Sequence, residues 1–148
     1  MNSKQMNNKM CEIIPRQIAY CDVGARWGLN EPWKTFEDNI KLISFEPDPE
    51  EYKRLVDRKR DEDIVYSYAL HRKESKIPLY LTKSRGSSSI YEPDFDVLQR
   101  YPEADRFNIE EVVAVNATSL DILYKRSEIK DVDFIKVDVQ GAALDVLT

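Results

Sequence analysis

Residues 18–28 read IAYCDVGARWG, an apolar run that leads into an acidic residue and two glycines. The run predicts a buried strand, and Gly24 and Gly28 predict a tight turn after it, because glycine adopts backbone conformations that a side chain obstructs. Residues 30–33, NEPW, favour a helix start, since Asn caps helices and Pro is tolerated in the first turn. Strand, glycine turn and helix are typical of an α/β protein that brings its backbone close to a nucleotide-like ligand.

The spacing of the two glycines narrows the kind of ligand. Gly24 and Gly28 form a G-x-x-x-G pattern, which differs from the G-x-G-x-x-G pattern that holds a dinucleotide pyrophosphate. The spacing therefore counts against an NAD-binding Rossmann module, which stays an alternative. Taken alone, the pattern also fits an ordinary strand-to-helix turn that binds nothing.

The composition fits one globular domain. The chain has 148 residues, of which 22 are basic and 27 acidic, and its net charge of −5 argues against nucleic acid as the main partner. No apolar run approaches the roughly 20 residues of a membrane span. Cysteine use, with Cys21 in the first strand, favours a reduced, cytoplasmic protein. We expect residues 1–17 to be a partly disordered lead-in and residues 18–148 to form the domain.

Strands and a helix alternate after the glycine turn. Residues 40–45, IKLISF, predict a buried strand, and Asp48 followed by Pro49 predicts a capped helix. Three apolar residues of that helix fall on one face, namely Tyr52, Leu55 and Val56. Residues 64–70, IVYSYAL, predict a third strand. The alternation implies a parallel sheet with right-handed crossovers.

The pattern changes after the third strand. Residues 77–82 predict a strand outside the centre of the sheet, because Pro78 cannot donate to an internal ladder. Residues 112–115 predict a strand antiparallel to it. Between them we expect a loop at residues 85–89, RGSSS, and a short helix near Phe95.

A fourth main strand is predicted over residues 132–141. Before it, residues 118–121, TSLD, predict the capped start of a helix whose apolar residues share a face (Leu120, Leu123 and Tyr124). In open parallel sheets, ligands gather at the carboxyl ends of the strands. The polar side chains that fall there are Asp22, Glu46, Lys136, Asp138 and Gln140. Glu46 lies 24 positions after Asp22, near the roughly 20-residue offset at which a carboxylate reaches ribose hydroxyls.

Four segments together resemble the FkbM family of S-adenosylmethionine-dependent methyltransferases. They are DVGARWG at 22–28, SFEPDPE at 44–50, SSS at 87–89 and DFIKVDVQG at 133–141. The resemblance implies an α/β fold, with the class I methyltransferase (Rossmann-like) parallel sheet. That sheet would be incomplete at the C-terminus after four main strands, with a small antiparallel insertion between the third and the fourth.

The resemblance also implies the cofactor, S-adenosyl-L-methionine, and methyl transfer to a hydroxyl of a small-molecule or glycan acceptor. The 22–28 turn would hold the methionine part, Glu46 would bind the ribose, and Tyr68 and Ala69 would lie beside the adenine. The implied cofactor-binding residues are Asp22, Gly24, Ala25, Gly28, Glu46, Tyr68 and Ala69.

Asp138 is the predicted catalytic base, because an attacking hydroxyl must lose its proton. Lys136 would orient Asp138 or the substrate, and Gln140 would face the substrate side. No cluster of His, Cys and Asp has the spacing of metal ligands, so we expect no metal.

A truncated or non-catalytic nucleoside-binding half-domain is the alternative function. The family usually has a glutamate shortly after the Q-G pair, where this chain has Ala143. The family fold also continues beyond a fourth strand, whereas this sequence stops at Thr148. We therefore expect the outer edge of the fourth strand to be open, and a homodimer to form through it.

Overall fold

The computed structural model describes Gln5, Lys9 and residues 13–148. Most of the lead-in predicted for residues 1–17 therefore lies outside the described residues. At its described end, Arg16 donates two hydrogen bonds of 2.6 Å to the carboxylate of Asp133. This pair ties the segment just before the first strand to the residue before the fourth main strand.

The strands in chain order are β1 (Ile18–Val23), β2 (Ile40–Phe45), β3 (Ile64–Tyr66), β4 (Ala69–Leu70), β5 (Ser75–Thr82), β6 (Ile109–Thr118) and β7 (Phe134–Val137). The α-helices are α1 (Pro49–Arg58), α2 (Phe95–Leu98), α3 (Leu120–Lys125) and α4 (Ala143–Leu147). Short 3₁₀ helices cover Trp33–Asn39, Arg85–Ser87 and Ala104–Phe107. No helix in the described part of the chain is long and apolar enough to cross a membrane.

A parallel sheet with the strand order β3-β2-β1-β7 forms the centre of the molecule. All six residues of β1 are buried, as expected for a strand that is covered on both faces. Cys21 is a free buried thiol in this strand. The sheet confirms the predicted Rossmann-like architecture and places β7 at one edge.

A second, smaller sheet has the order β4-β6-β5. β5 and β6 run antiparallel with Ile77 opposite Val115, which confirms the predicted pair. β4 runs parallel to β6, so the insertion is a mixed sheet and not a purely antiparallel one. Pro78 lies on β5, at the edge of this sheet, where a missing N–H is tolerated.

The single strand predicted over residues 64–70 is wrong. The extended segment is interrupted at Ser67 and Tyr68, and the two resulting strands, β3 and β4, join different sheets. The break occurs because Ala69 and Leu70 pair with β6 and not with β2. This short link therefore connects the two sheets covalently.

Helix α1 begins as predicted. The side chain of Asp48 accepts a hydrogen bond from a backbone N–H of the first turn, and Pro49 is the first helical residue. The predicted apolar face is only partly correct, because Val56 is exposed and Glu51 is buried instead. Burial of Glu51 is tolerated because the guanidinium of Arg54 donates a 3.0 Å hydrogen bond to its carboxylate.

Two other helix predictions need correction. The helix expected from residues 30–33 is the 3₁₀ helix Trp33–Asn39, and the residue before it is Pro32 rather than a capping Asn. The cap of α3 predicted within residues 118–121 is present, and its side-chain acceptor is the hydroxyl of Ser119. Tyr124 is 64% exposed, however, because the core accepts Leu123 from this short helix and the tyrosine points to solvent.

The fourth main strand is shorter than the predicted 132–141. β7 covers four residues, and its ladder to β1 ends with the N–H of Asp138, which donates to the Val23 carbonyl. The chain then turns at Gly141, whose φ is +81°, and enters α4. The polar residues after β7 are therefore on a turn beside β1.

Candidate functional site

A cavity opens where the carboxyl ends of β1, β2 and β7 face the second sheet. Six of the residues singled out from the sequence line it, namely Gly24, Glu46, Tyr68, Ala69, Asp138 and Gln140. Four others lie outside its lining, namely Asp22, Ala25, Gly28 and Lys136. The cavity is thus at the predicted sheet edge, but four of the ten predicted site residues do not line it.

The turn after β1 is held by its own backbone hydrogen bonds. The N–H groups of Gly24 and Ala25 both donate to the Phe45 carbonyl, at 3.0 and 3.2 Å, and the N–H of Gly28 donates to the Ala25 carbonyl. A pyrophosphate cradle needs such N–H groups free and a helix N-terminus behind them. Three N–H groups of this turn are already bonded, and the helix that follows is a short 3₁₀ helix that begins only at Trp33, which counts against a dinucleotide site.

At Gly24 the turn after β1 packs directly against the backbone of Asp138, the residue after β7. The φ of Gly24 is +76°, and a Cβ built on this glycine would lie 2.2 Å from the carbonyl oxygen of Asp138. A side chain cannot fit there. Gly24 therefore fixes the distance between the β1 turn and the predicted catalytic residue.

Arg26 connects the turn to helix α1. Its guanidinium binds the carboxylate of Asp48, the residue that caps that helix, and both residues line the cavity. Sequence reasoning gave Arg26 no role. Arg26 and Asp48 lie 22 positions apart in the sequence, so no local pattern predicts that they pair.

Glu46 is a buried carboxylate with a free oxygen. It follows β2 directly, is 5% exposed and lines the cavity. Its Oε1 accepts a hydrogen bond of 3.0 Å from the N–H of Asp48, whereas Oε2 accepts none from any described residue. Burial raises the pKa of Glu46 to about 7, against the opposing effects of that N–H and of Arg26.

Asp22 and Lys136 form an ion pair across neighbouring strands. They are opposite each other in the β1–β7 register, and the Lys136 Nζ lies 2.9 Å from Oδ1 of Asp22. Asp22 is 1% exposed; burial raises its pKa and Lys136 counteracts that rise. The same ammonium lies 3.5 Å from Oδ2 of Asp138, whose side chain is 62% exposed. Lys136 therefore holds Asp22 and helps to position Asp138.

Replacing Lys136 with methionine is expected to destabilise the protein by about 3 kcal/mol, because it leaves the carboxylate of Asp22 buried without a counter-charge. The double variant Asp22→Asn/Lys136→Met is expected to recover most of this loss, since it removes both charges. Urea denaturation of the wild type, both single variants and the double variant gives the coupling energy. Additive effects in that cycle would show that the pair is not formed.

The opposite wall of the cavity comes from β4, β5 and the loop after β5. Its apolar residues are Ala69, Leu70, Leu79 and Ile90. The loop is anchored to the turn after β7, because the Ser89 hydroxyl donates a 2.6 Å hydrogen bond to the Gln140 carbonyl. Arg85 and Ser88 of the same loop also line the cavity. Residues 85–89 were predicted as a loop, and residues 87–89 also carry part of the family resemblance, but nothing local indicates that this loop reaches Gln140.

Among the residues that the structure describes, no group of three or more His, Cys, Asp or Glu side chains is arranged to hold a metal ion. The polar groups of the cavity are carboxylates, guanidinium groups and hydroxyls next to an apolar wall. Such a set suits an organic ligand with hydroxyls and charged groups.

The parallel sheet, the glycine turn after β1 and the mixed insertion define a Rossmann-like methyltransferase fold. A family model described as "Methyltransferase FkbM domain" matches residues 22–148, so the chain belongs to the FkbM methyltransferase family. This membership confirms the resemblance seen in the sequence. No curated protein and no solved structure matches the chain significantly.

Proposed function

We propose that this chain binds S-adenosyl-L-methionine in the cavity between its two sheets and transfers the methyl group to a hydroxyl of a sugar or natural-product acceptor. The observation that carries the proposal is the buried carboxylate of Glu46, which follows β2 and has an oxygen free at the cavity. Membership of a methyltransferase family supports the reaction type.

The lining of the cavity suits a nucleoside joined to an amino acid. An ionised carboxylate can accept hydrogen bonds from two vicinal hydroxyls, which is the role we assign to Glu46. Ala69, Leu70 and Ile90 offer an apolar surface to a purine, with Tyr68 beside them. The turn at residues 22–28 would hold the methionine part, through its packing and not through free N–H groups.

Bound cofactor would supply a methyl group that is already activated on a sulfonium, so the protein mainly has to align a nucleophile and exclude water. Asp138 would accept the proton of the acceptor hydroxyl at its exposed carboxylate. Lys136, 3.5 Å away, would position that carboxylate, and Gln140 would orient the acceptor. The proton thus passes to a carboxylate at the cavity and from there to solvent.

Calorimetric titration tests the cofactor first. We expect saturable binding of S-adenosylhomocysteine and no response to NAD.

Methyl transfer from S-adenosylmethionine to a panel of sugars and glycosides tests the reaction. Asp138→Asn is expected to lower turnover by roughly 100-fold or more without changing S-adenosylhomocysteine affinity. Asp96→Asn, an exposed site on α2, is the matched control. A folded chain that ignores S-adenosylhomocysteine, or an Asp138→Asn variant with full turnover, contradicts the proposal.

A non-catalytic nucleoside-binding module is the second candidate. Ala143, at the start of α4, favours it, because the family usually has a glutamate near this position. Binding of S-adenosylhomocysteine without turnover on any acceptor would support this function over methyl transfer.

Two further expectations from the sequence stay predictions. The outer edge of β7 pairs with no strand in the described ranges, and we propose that a second copy of the chain pairs there. Analytical ultracentrifugation measures whether the chain is a dimer in solution.

A cytoplasmic location is proposed from the free, buried thiol of Cys21.

A further inference from the structure

Arg85 carries a buried donor that has no acceptor. Its Nη1 atom is buried and makes no hydrogen bond, and its guanidinium forms no ion pair with any described residue. Buried polar groups in folded proteins are nearly always hydrogen-bonded, and a buried cation is costly without a partner. An unpaired guanidinium in a cavity wall therefore indicates that a ligand supplies the acceptor.

The other cations near the cavity are already paired. Arg26 binds Asp48, and Lys136 lies between the carboxylates of Asp22 and Asp138. Arg85 differs from both because no carboxylate among the described residues neutralises its charge. Its free charge is consequently available to an anion that enters the cavity.

A second donor lies on the same loop. The Ser88 hydroxyl accepts a 3.1 Å hydrogen bond from the Thr82 N–H, and its own proton has no acceptor in the described chain. Both Arg85 and Ser88 line the cavity. Ser89 anchors the loop to Gln140, so these donors stand on the wall that is fixed to the end of β7.

We propose that Arg85, assisted by the Ser88 hydroxyl, binds an oxyanion, either a carboxylate or a phosphate, in this cavity. The planar guanidinium can donate two parallel hydrogen bonds to such a group. Two molecules could carry it: the methyl acceptor, or the cofactor through its amino-acid carboxylate. Assigning the oxyanion to one of them rests on the proposed function, whereas oxyanion binding itself does not.

Titration with inorganic phosphate, followed by amide NMR shifts of residues 86–90, tests the oxyanion site. We expect saturable shifts in the wild type and at least a tenfold loss of affinity in Arg85→Gln. Arg100→Gln removes the same charge from an exposed position outside the cavity, and it should bind phosphate like the wild type. Absence of saturable shifts in the wild type, or equal affinity in Arg85→Gln, overturns the proposal.

Thermal denaturation of the same variants separates a ligand role from a structural one. Arg85→Gln removes an unpaired charge from a half-buried position, so its melting temperature should equal or exceed that of the wild type. A melting temperature below that of Arg100→Gln would show that the guanidinium supports the fold, and it would overturn the proposal.

Comparison of two nucleosides identifies the source of the oxyanion. S-adenosylhomocysteine carries the amino-acid carboxylate, whereas 5′-methylthioadenosine lacks it. If Arg85→Gln weakens only S-adenosylhomocysteine, by tenfold or more, the oxyanion is the cofactor's; if it weakens neither, the oxyanion is the acceptor's. Equal weakening of both contradicts an oxyanion role. If the wild type binds phosphate through Arg85 but neither nucleoside, the proposed function fails and the oxyanion site stands.

Discussion

Replacing Glu46 with glutamine is expected to make the protein more stable while it weakens cofactor binding. At pH 8 the carboxylate is ionised in a site where burial raises its pKa from 4.5 to about 7. That shift corresponds to about 3 kcal/mol of lost stability, because each pKa unit is about 1.4 kcal/mol. Glutamine keeps an oxygen that accepts the Asp48 N–H but carries no charge. Glu46→Gln should therefore be more stable than the wild type by up to about 3 kcal/mol.

The stability that Glu46→Gln gains over the wild type should depend on pH. Below pH 4.5 the Glu46 carboxyl is protonated in the folded and the unfolded chain, so the variant should gain nothing there. Between pH 4.5 and about 7 the unfolded chain loses this proton while the folded chain keeps it, so wild-type stability falls as the pH rises. The difference between variant and wild type should grow over this window and then stay constant. Urea denaturation at a series of pH values measures it.

Cofactor binding by Glu46→Gln should change in the opposite direction. Hydrogen bonds to a charged group contribute about 1.5–3 kcal/mol, so the affinity for S-adenosylhomocysteine should fall roughly 10- to 100-fold. Wild-type affinity should rise with pH through about 7 as Glu46 ionises, whereas the affinity of the variant should stay flat. Glu92→Gln, at an exposed site, controls for the loss of one negative charge. Unchanged affinity in Glu46→Gln would remove this residue from the ribose site.

Gly24→Ala is expected to destabilise the protein by more than about 3 kcal/mol. The new Cβ would lie 2.2 Å from the Asp138 carbonyl oxygen and 3.0 Å from its carbon, so the backbone itself must move. Overpacking of this kind costs about 1–3 kcal/mol or more, and the left-handed conformation of Gly24, with φ +76°, adds about 1–2 kcal/mol. The displacement would also separate the β1 turn from Asp138, so binding of S-adenosylhomocysteine should be lost.

Gly28→Ala is the matched control for this effect. Gly28 has nearly the same φ, +71°, but no atom lies within 4 Å of its Cβ position. Only the left-handed strain of about 1–2 kcal/mol applies, and cofactor binding should persist. Denaturation midpoints of the two variants separate the steric cost from the conformational cost. Equal losses of stability would mean that the close approach to Asp138 is not present in solution.

Much of the fold could be predicted because its signals are local. The run at residues 40–45 is β2 without a shift at either end, and Asp48 with Pro49 marks the start of α1. Strands buried on both faces and capped helices each leave a short pattern in the sequence. The positions of Glu46 and Asp138 at one sheet edge follow from the parallel order alone.

The remaining features depend on partners far away in the sequence. Nothing in residues 64–70 indicates that the last two residues leave the first sheet to pair with β6. Arg85 looks like a loop residue until the link from Ser89 to Gln140 places its loop against β7. Lys136 was predicted to orient Asp138 or the substrate, but nothing local indicates that its ammonium also pairs with the buried carboxylate of Asp22 on the neighbouring strand.

Ser67 and Tyr68, which separate β3 from β4, also separate the two walls of the cavity. Because β3 and β4 belong to different sheets, the cavity is a gap between two separately hydrogen-bonded layers rather than a hollow within one. Substitutions in β5, which contributes Leu79 to one wall of that gap, could change its width without touching Glu46 or Asp138. A change in the width of that gap would change the size of ligand that the cavity admits, while the carboxylates at the sheet edge stay in place.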